Sequence, residues 1–318
     1  MISIIGYGSF GTSLAYIISK NTQVRMYTRD YTAVAYYNEF QMNKKYLTSL
    51  KLNDNITVTT NIDDVINDNI EILVLAIPST AIISFLESNK SLISMNTLIV
   101  NTAKGFCSEN NCNLSKVIAK ILPNNPIATI QGPSFAQEIV ADHPTEVVVA
   151  STSLIHAKQL QKILTTKYFT TTLSSDVVGV EFAGALKNIY AIGAGLLEGK
   201  GYLCNTMSKY VTHCYLEQSK IILACGGHQS EVNVATLGDL LLTCYGTLSR
   251  NKKFGINFAK GEKDSESKEG INSMTNTVEG INSMNIAISI ADKYKIDTPI
   301  LRGINDFLKG NSSFISFI

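Results

Sequence analysis

The chain has 318 residues, of which 45% are apolar, and its 27 basic and 26 acidic residues give a net charge of +1. This length and apolar content are sufficient for two domains with substantial cores. A balanced charge excludes an electrostatic basis for binding nucleic acid or an anionic membrane surface. Apolar runs such as 72–77 have the length of a strand and are shorter than the roughly 20 residues that span a bilayer, so we expect no membrane insertion.

Six cysteines and four histidines are scattered along the chain without CxxC, CxxH or HxxxH spacing. Structural metal sites use such spacings, so we expect no metal ion. No secretory signal peptide precedes the first predicted strand, and scattered cysteines are typical of a reducing compartment. These features predict a cytoplasmic protein.

The first predicted element is a strand over 2–5 that runs into a GxGxxG turn formed by Gly6, Gly8 and Gly11. In a dinucleotide site the first glycine allows a tight turn, the second leaves room for a pyrophosphate, and the third allows close helix packing. The following apolar stretch is predicted to be a helix whose N-terminal N–H groups face the phosphates. A glycine-rich structural turn is the alternative, but the order strand, turn, helix favours a dinucleotide.

Short β-rich runs and helical stretches alternate as far as about residue 175, a pattern typical of a doubly wound parallel sheet. From about Val178 long helical stretches follow. We therefore predict a Rossmann domain over 1–177 and an α-helical substrate and catalytic domain over 178–318. The predicted strands cover residues 2–5, 23–28, 56–59, 72–76, 98–102, 127–131 and 145–150.

The second predicted strand is followed by Arg29 and Asp30. An acidic residue at this position binds the ribose hydroxyls of NAD, whereas an arginine accommodates the additional phosphate of NADP. Arg29 lies directly after the strand and favours tolerance of that phosphate, but a solvated Arg–Asp pair is an equal alternative. The choice between NAD and NADP stays open at this point.

Ligands of parallel sheets bind beyond the carboxyl ends of the strands, which directs attention to the residues that follow them. Pro78 follows the fourth predicted strand, and Lys104 follows the fifth, where it could hold an anion or be a solvated loop lysine. The segment 131–136 after the sixth strand has turn chemistry that either directs backbone N–H groups at a ligand or caps a helix.

The segment 182–197 is apolar almost all round, which predicts a buried helix, and Lys187 is its only charged residue. Burial of an ammonium group is costly unless it is paired, and it lowers the pKa. Asp239 is likewise the only charge in the apolar run 234–244. We predict that Lys187 pairs with Asp239, either as a structural ion pair or, as we favour, as a proton-transfer unit.

Two shorter motifs lie nearer the C-terminus. Arg250, between Ser249 and Asn251, offers a guanidinium beside an amide, which suits a phosphate dianion. Glu279 could place a carboxylate at the cofactor rim or cap a helix. A near repeat, EGINSM at 269–274 and again at 279–284, indicates a local duplication.

Together these motifs closely resemble those of the bacterial NAD(P)-dependent glycerol-3-phosphate dehydrogenases. The match covers nearly the whole chain, in the order GxGxxGT, TAKGF, GPSFAxE, GALKNIYAIGAG, GDLLLTC, SRN and VEG. The resemblance implies reversible hydride transfer between NAD(P)H and dihydroxyacetone phosphate, giving sn-glycerol 3-phosphate for glycerophospholipid synthesis, by a homodimer. The alternatives are another two-domain NAD(P)-dependent dehydrogenase, for a hydroxyacid or sugar phosphate, and a catalytically silent NADH-binding sensor.

The resemblance also implies residue roles. Lys187 would be the general acid and base, Asp239 would hold it in place, and Lys104 would polarise the substrate. The substrate-binding residues implied are Lys104, Gly132, Ser134, Lys187, Asn188, Asp239, Thr243, Ser249, Arg250 and Asn251. Together with the glycine turn and the strand-end residues, the predicted cofactor site comprises Gly6, Gly8, Ser9, Phe10, Gly11, Arg29, Pro78, Lys104, Ala136, Arg250, Thr277 and Glu279.

Overall fold

The computed structural model describes residues 1–107, 111–228, 232–261 and 278–311. The predicted cofactor residue Thr277 and the first copy of the near repeat lie outside the described residues. The described residues form two compact units. The first unit comprises 1–103 and 114–177, and the second comprises 104–113 and the described residues from 178 onward. The segment 104–113, which carries Lys104, therefore belongs to the second unit.

The first unit is built on an eight-stranded sheet. Its strands are β1 Ile2–Ile5, β2 Val24–Tyr27, β3 Ile56–Thr59, β4 Ile72–Leu75, β5 Leu98–Asn101, β8 Ile127–Gln131, β9 Thr145–Ser151 and β10 Phe169–Ser174. The strand order is β10-β9-β8-β5-β4-β1-β2-β3. In register, Ile2 lies opposite both Val24 and Ile72 in parallel pairs. Every residue of β1 and β4 is buried, as expected for strands covered on both faces.

The predicted fold class is confirmed, with two differences in the sheet. β10 was not predicted, because its threonine-rich sequence is largely half-exposed and lacks the apolar run of a central strand. β9 pairs antiparallel with β8. The connection between these two strands contains only the five-residue helix Ala136–Val140, which is too short for the usual crossover to a parallel neighbour.

Helices connect the strands of the first unit. They are α1 Ser9–Ser19, α2 Tyr31–Phe40, α3 Ser79–Asn89, α4 Leu114–Ile121, α5 Ala136–Val140 and α6 Leu154–Leu164. Leu14, Ile17 and Ile18 bury one face of α1 against the sheet. This packing fixes the start of α1 at the glycine turn, where the predicted ligand would bind.

The second unit contains a short β-ribbon and a set of helices. These are β6 Phe106–Cys107, β7 Cys112–Asn113, α7 Val177–Gly199, α8 Cys204–Ala224, α9 Asp239–Tyr245, α10 Arg250–Lys260, α11 Glu279–Lys293 and α12 Pro299–Leu308, with a π-helical turn at Val234–Gly238 before α9. By length and composition, α7 could cross a membrane, yet 89% of its most apolar window is buried within the protein. Its buried side chains form the centre of this unit's core.

The helix α7 is longer than predicted and carries two further acidic residues. It begins five residues before the predicted segment, so it includes Glu181, and it extends to include Glu198. Glu181 is buried and accepts a hydrogen bond from Asn113 Nδ2 at 2.7 Å. Lys187 is therefore not the only charge on the helix, but it remains the only basic one.

Glycines bring the backbones of α7 and α10 into contact. A Cβ on Gly195 would lie 2.0 Å from the carbonyl oxygen of Lys252, and one on Gly255 would lie 2.2 Å from that of Ile192. Neither position can accept a side chain without moving a helix. This close packing places the first turn of α10, with Arg250, beside the middle of α7.

Candidate active site

In the first unit, the three glycines of the turn after β1 meet different surroundings. Gly6 has φ +118°, and a Cβ there would lie 2.4 Å from the carbonyl oxygen of Ala76. A Cβ on Gly11 would lie 2.4 Å from the carbonyl oxygen of Gly6. At Gly8, by contrast, a Cβ would meet nothing within 4 Å. The open space therefore lies at Gly8, where the motif leaves room for a pyrophosphate.

The N-terminus of α1 suits the phosphates of a dinucleotide. Gly8 is its N-cap, no side chain caps the helix, and its first turn contains no acidic residue. The N–H groups and the positive end of the helix dipole are therefore left for an anion. Ser9 and Phe10, both half-buried, begin this helix. The residues present thus fit the pyrophosphate of NAD or NADP.

Arg29 and Asp30, which follow β2, have different environments. Arg29 is exposed. Asp30 is the N-cap of α2, and its Oδ1 accepts hydrogen bonds from the backbone N–H groups of Thr32 and Ala33 at 2.9 and 3.2 Å. Its bonds to Thr32 and Ala33 hold the pKa of Asp30 below its usual value. The acidic member of this pair is therefore already used in capping a helix.

The remaining predicted residues of the first unit lie at the same edge of the sheet as the glycine turn, because β1, β4, β5 and β8 are mutually parallel. Pro78 is exposed at the start of α3, and Ala136 begins α5. Gly132 has φ +149°, which only glycine adopts readily. Ser134 Oγ donates to the carbonyl oxygen of Gly132 at 2.9 Å.

In the second unit, Lys104, Lys187, Asp239 and Thr243 form a charged cluster. Asp239 is fully buried, and each of its carboxylate oxygens accepts from one lysine. Oδ1 pairs with Lys187 Nζ, and Oδ2 lies 2.8 Å from Lys104 Nζ. The predicted Lys187–Asp239 ion pair is therefore present, and a second cation shares its carboxylate.

Thr243 completes the surroundings of Lys187. Its Oγ1 accepts from Lys187 Nζ at 2.9 Å and donates to the backbone carbonyl oxygen of Asp239, one turn earlier in α9, at 2.6 Å. Within the described part of the chain, Asp239 and Thr243 are the acceptors for Lys187 Nζ. Because an ammonium has three donors, one N–H is left for a substrate oxygen.

The environment of Lys187 prepares it for proton transfer. Its pKa is lowered from 10.5 to about 7, because burial and the nearby positive charge of Lys104 together outweigh the opposing charge of Asp239. A lysine with a pKa near neutrality can both give and take a proton at physiological pH. Its side chain is almost completely buried, so water competes poorly for that proton.

Next to the charged cluster, Asn188, Asn251, Glu279 and Gly280 form a hydrogen-bonded group that we call the amide cluster. Asn188 Nδ2 donates to Glu279 Oε2 at 3.1 Å, and Asn251 Nδ2 donates to Asn188 Oδ1 at 3.0 Å. The backbone N–H of Gly280 donates to Asn251 Oδ1, also at 3.0 Å. Asn188 Nδ2 also lies 3.3 Å from the carbonyl oxygen of Lys104, which joins the two clusters.

Gly280 was absent from the predicted site residues. A Cβ there would lie 2.5 Å from the backbone oxygen of Asn188, so glycine allows the start of α11 to reach α7. In the sequence, the glycine of the VEG motif was the feature that could have indicated this position. Burial raises the pKa of the neighbouring Glu279, although the positive charges of Arg250, Lys104 and Lys187 oppose that shift.

The three residues of the SRN motif do not have equivalent positions. Ser249 is buried and caps α10, since its Oγ accepts from the backbone N–H of Lys252 at 3.3 Å. Asn251 is buried in the amide cluster. Arg250 is exposed, and its charge acts on Glu279. The motif therefore presents one exposed cation at the start of α10, where hydrogen bonds of Ser249 and Asn251 hold the helix end in place.

The described ranges contain no group of three or more His, Cys, Asp or Glu side chains arranged to hold a metal ion.

Comparisons with known proteins agree with these features. The family models for the N-terminus and the C-terminus of NAD-dependent glycerol-3-phosphate dehydrogenase match residues 1–157 and 176–318. A glycerol-3-phosphate dehydrogenase (NAD(P)+) of Clostridium botulinum (strain Eklund 17B / Type B) is 37% identical over 301 residues, 94% of this chain and 90% of the relative. One of Fusobacterium nucleatum is 35% identical over 316 residues, 98% and 93% of the two chains.

Solved structures show the same similarity. The glycerol-3-phosphate dehydrogenase of Coxiella burnetii superposes with a TM-score of 0.90 at 28% identity, covering 98% of this chain and 95% of the other. A 2-dehydropantoate 2-reductase from Methylococcus capsulatus gives a TM-score of 0.62 at 12% identity, over 97% and 95% of the chains. The second likeness concerns the fold alone.

Proposed function

This chain belongs to the family of NAD-dependent glycerol-3-phosphate dehydrogenases, and we propose that it catalyses reversible hydride transfer between NAD(P)H and dihydroxyacetone phosphate, giving sn-glycerol 3-phosphate. The observation that carries this proposal is the charged cluster, in which a buried lysine with a lowered pKa shares one carboxylate with a second lysine. A ketone reduction needs a proton donor at the carbonyl oxygen, and Lys187 has the required chemistry.

Bound NAD(P)H supplies the hydride. Lys187 Nζ gives its proton to the carbonyl oxygen as C2 is reduced, and in the reverse direction it takes the proton from the hydroxyl. Lys104 Nζ adds a second positive charge beside the same oxygen, where negative charge develops in the transition state. Asp239 binds one ammonium group through each of its carboxylate oxygens. It thereby holds both lysines close enough together to reach the carbonyl oxygen of the substrate. Thr243 limits the rotation of Lys187 Nζ through its hydrogen bond.

The phosphate end of the substrate is assigned to Arg250. Its guanidinium is exposed at the start of α10, and a fork of N–H donors matches a phosphate dianion. Ser249 and Asn251, which the resemblance also implies as phosphate ligands, support this assignment by holding the end of α10. The contacts implied for Gly132, Ser134 and Asn188 with the substrate stay predictions.

The cofactor is assigned to the first unit through the open space at Gly8 and the uncapped start of α1. Arg29 is exposed where the 2′-phosphate of NADP would require a cation, and Asp30 is engaged as a helix cap. Both observations support use of NADP as well as NAD. The further cofactor contacts proposed for Ser9, Phe10, Pro78, Ala136 and Glu279 follow from the resemblance.

We also propose the cellular setting that the resemblance implies, a cytoplasmic homodimer that supplies sn-glycerol 3-phosphate for glycerophospholipid synthesis. Size-exclusion chromatography with light scattering would measure the subunit number directly, and a monomer at enzyme-assay concentration would contradict the dimer.

The central test is oxidation of NADH and NADPH by the purified protein, followed by the absorbance of the reduced nicotinamide. We expect oxidation with dihydroxyacetone phosphate and little with unphosphorylated dihydroxyacetone. Oxidation with a 2-oxoacid in place of the phosphorylated ketone would support the hydroxyacid alternative. A folded, NADH-binding protein that oxidises no substrate would support the sensor alternative and overturn the proposal.

A further inference from the structure

The β-ribbon of the second unit places two cysteines directly opposite each other. In the antiparallel register of β6 and β7, Cys107 pairs with Cys112 and Phe106 pairs with Asn113. Opposite residues in such a ribbon have Cα atoms about 4.5–5.5 Å apart and side chains on the same face. These Cα–Cα distances lie within the range of about 4.4–6.8 Å that disulfides require. Both cysteines are thiols in this structure.

We propose that Cys107 and Cys112 form a reversible cross-strand disulfide by exchange with a small-molecule disulfide such as oxidised glutathione. This inference is independent of the proposed function, because it depends on the register of the ribbon and on two thiols. In the second unit, Cys204, Cys214 and Cys244 lie in helices, and Cys225 directly follows the end of α8. Among the described residues, Cys107 and Cys112 are therefore the cysteine pair that strand pairing places at the Cα–Cα distance of a disulfide.

Burial sets the order of the two chemical steps. Cys112 is half-buried, whereas Cys107 is only 2% exposed. The Cys112 thiolate attacks oxidised glutathione, forming a mixed disulfide and releasing one glutathione thiolate. The Cys107 thiolate then attacks the Cys112 sulfur, forming the protein disulfide and releasing the second glutathione. Two protein thiols are thus oxidised, oxidised glutathione accepts the two electrons, and the two thiol protons pass to the released glutathione.

The ribbon connects the candidate catalytic site to the core of its unit. Lys104 lies three residues before Cys107, and Phe106 packs edge-on against Phe182 with ring centroids 5.1 Å apart. On the other strand, Asn113 binds the buried Glu181. A bridge between Cys107 and Cys112 would covalently join the strands between these two anchors. It would restrain opening of the segment that supplies Lys104 to Asp239.

The test uses the full-length protein and mass spectrometry. After incubation with oxidised glutathione at neutral pH, remaining thiols are alkylated, the protein is digested, and disulfide-linked peptides are identified. We expect a Cys107–Cys112 linked peptide that disappears after treatment with reduced glutathione. The variant Cys107→Ser should accumulate glutathione on Cys112, and Cys204→Ser, which removes an exposed cysteine outside the ribbon, should form the bridge as the unchanged protein does.

Three outcomes would overturn the proposal: alkylation of both ribbon cysteines, stable glutathione on Cys112 in the unchanged protein, or a linkage of either cysteine to one outside the ribbon. Because the central result is obtained on the unchanged protein, it does not depend on whether a variant folds. Hydrogen exchange provides a second measurement. The bridge should slow exchange of the backbone amides of Phe106 and Asn113 by about tenfold or more, and equal rates would contradict the proposed restraint.

Discussion

The glycine turn of the first unit and the charged cluster of the second unit prepare for ligands in opposite ways. The turn depends on missing side chains, since Gly6 and Gly11 have no space for a Cβ while Gly8 opens onto empty space. The cluster depends on side chains that are present and buried, chiefly Lys187 and Asp239. The glycine turn is therefore sensitive to added side-chain atoms, whereas the charged cluster is sensitive to the loss of a charge.

This difference separates ligand binding from folding stability at Gly8 and couples chemistry to stability in the charged cluster. A methyl group at Gly8 would obstruct the ligand without disturbing the fold, because a Cβ there meets nothing within 4 Å. Loss of charge at Asp239 would instead affect the two ammonium groups that surround it. The following variants test this distinction.

The largest effect is expected for removal of the proton donor. The substitution Lys187→Ala should lower kcat by about 10²–10⁴-fold, the range that general acid–base catalysis contributes. Binding of NADH, measured by fluorescence titration, should be almost unchanged, and Asp239 keeps Lys104 as its partner. Lys209→Ala, which removes an exposed lysine from α8, is the matched control. Unchanged turnover in Lys187→Ala would remove this residue from the mechanism.

The next largest effect concerns the buried carboxylate. The substitution Asp239→Asn keeps the side-chain shape but leaves Lys104 and Lys187 without their shared negative charge. We expect the free energy of unfolding to fall by about 3–5 kcal/mol, as for other broken buried ion pairs. Denaturant titration would measure this change. Asp292→Asn, which breaks the exposed pair with Arg302, should cost about 1 kcal/mol or less. Equal effects of the two variants would contradict a buried ion cluster.

Two glycine substitutions compare strain with obstruction. Gly6→Ala introduces a Cβ 2.4 Å from a backbone oxygen at a positive φ, so it should lower the free energy of unfolding by about 1–3 kcal/mol and also weaken NADH binding. Gly8→Ala should leave the unfolding transition almost unchanged and weaken NADH binding by about tenfold. The result against this interpretation would be a destabilised Gly8→Ala protein that binds NADH normally.

A smaller effect is expected for the phosphate ligand. The substitution Arg250→Ala should raise KM for dihydroxyacetone phosphate by about 10–100-fold, with a minor change in kcat, because a charged hydrogen bond contributes about 1.5–3 kcal/mol. Lys253→Ala removes an exposed cation from the same helix and should leave KM unchanged. A change confined to kcat in Arg250→Ala would argue against ground-state binding of the phosphate.

The smallest perturbation is a change of pH. Since burial lowers the pKa of Lys187 to about 7, its protonated form predominates below that pH. Reduction of the ketone needs the protonated form, so kcat/KM should fall as pH rises through 7, while oxidation of the alcohol needs the neutral amine and should accelerate. Profiles measured above about pH 6.5 avoid most of the titration of the substrate phosphate. Parallel profiles in the two directions would exclude Lys187 as the titrating group.

Parts of the fold were predictable because local patterns are strong there. Buried apolar runs such as 72–75 indicated the central strands, and a strand followed by GxGxxG indicated the start of α1. β10 was not predicted, because its polar residues are partly exposed and form no buried apolar run. The antiparallel pairing of β9 with β8 could not be predicted either. The direction of a strand depends on the path of the connection before it and not on the residues of the strand.

The candidate site shows the same limit. Lys187 and Asp239 could be paired from the sequence because each is a single basic or acidic residue in an apolar run. The bond between Asn251 and Asn188 could not, because it joins helices that are far apart in the chain. The resemblance implies that all three residues of the SRN motif bind the phosphate, and only the structure shows that Ser249 also caps α10 and that Asn251 also bonds to Asn188 and Gly280.

The sequence by itself determined the nucleotide turn, the buried central strands and the pairing of the buried Lys187 with the buried Asp239. Such features depend on local backbone preference and on the cost of burying a charge. Only the tertiary structure decided that Lys104 shares Asp239 with Lys187, and that Gly280 brings α11 to Asn188. These contacts join distant segments, and their distances are set by how whole helices pack, which no local pattern encodes.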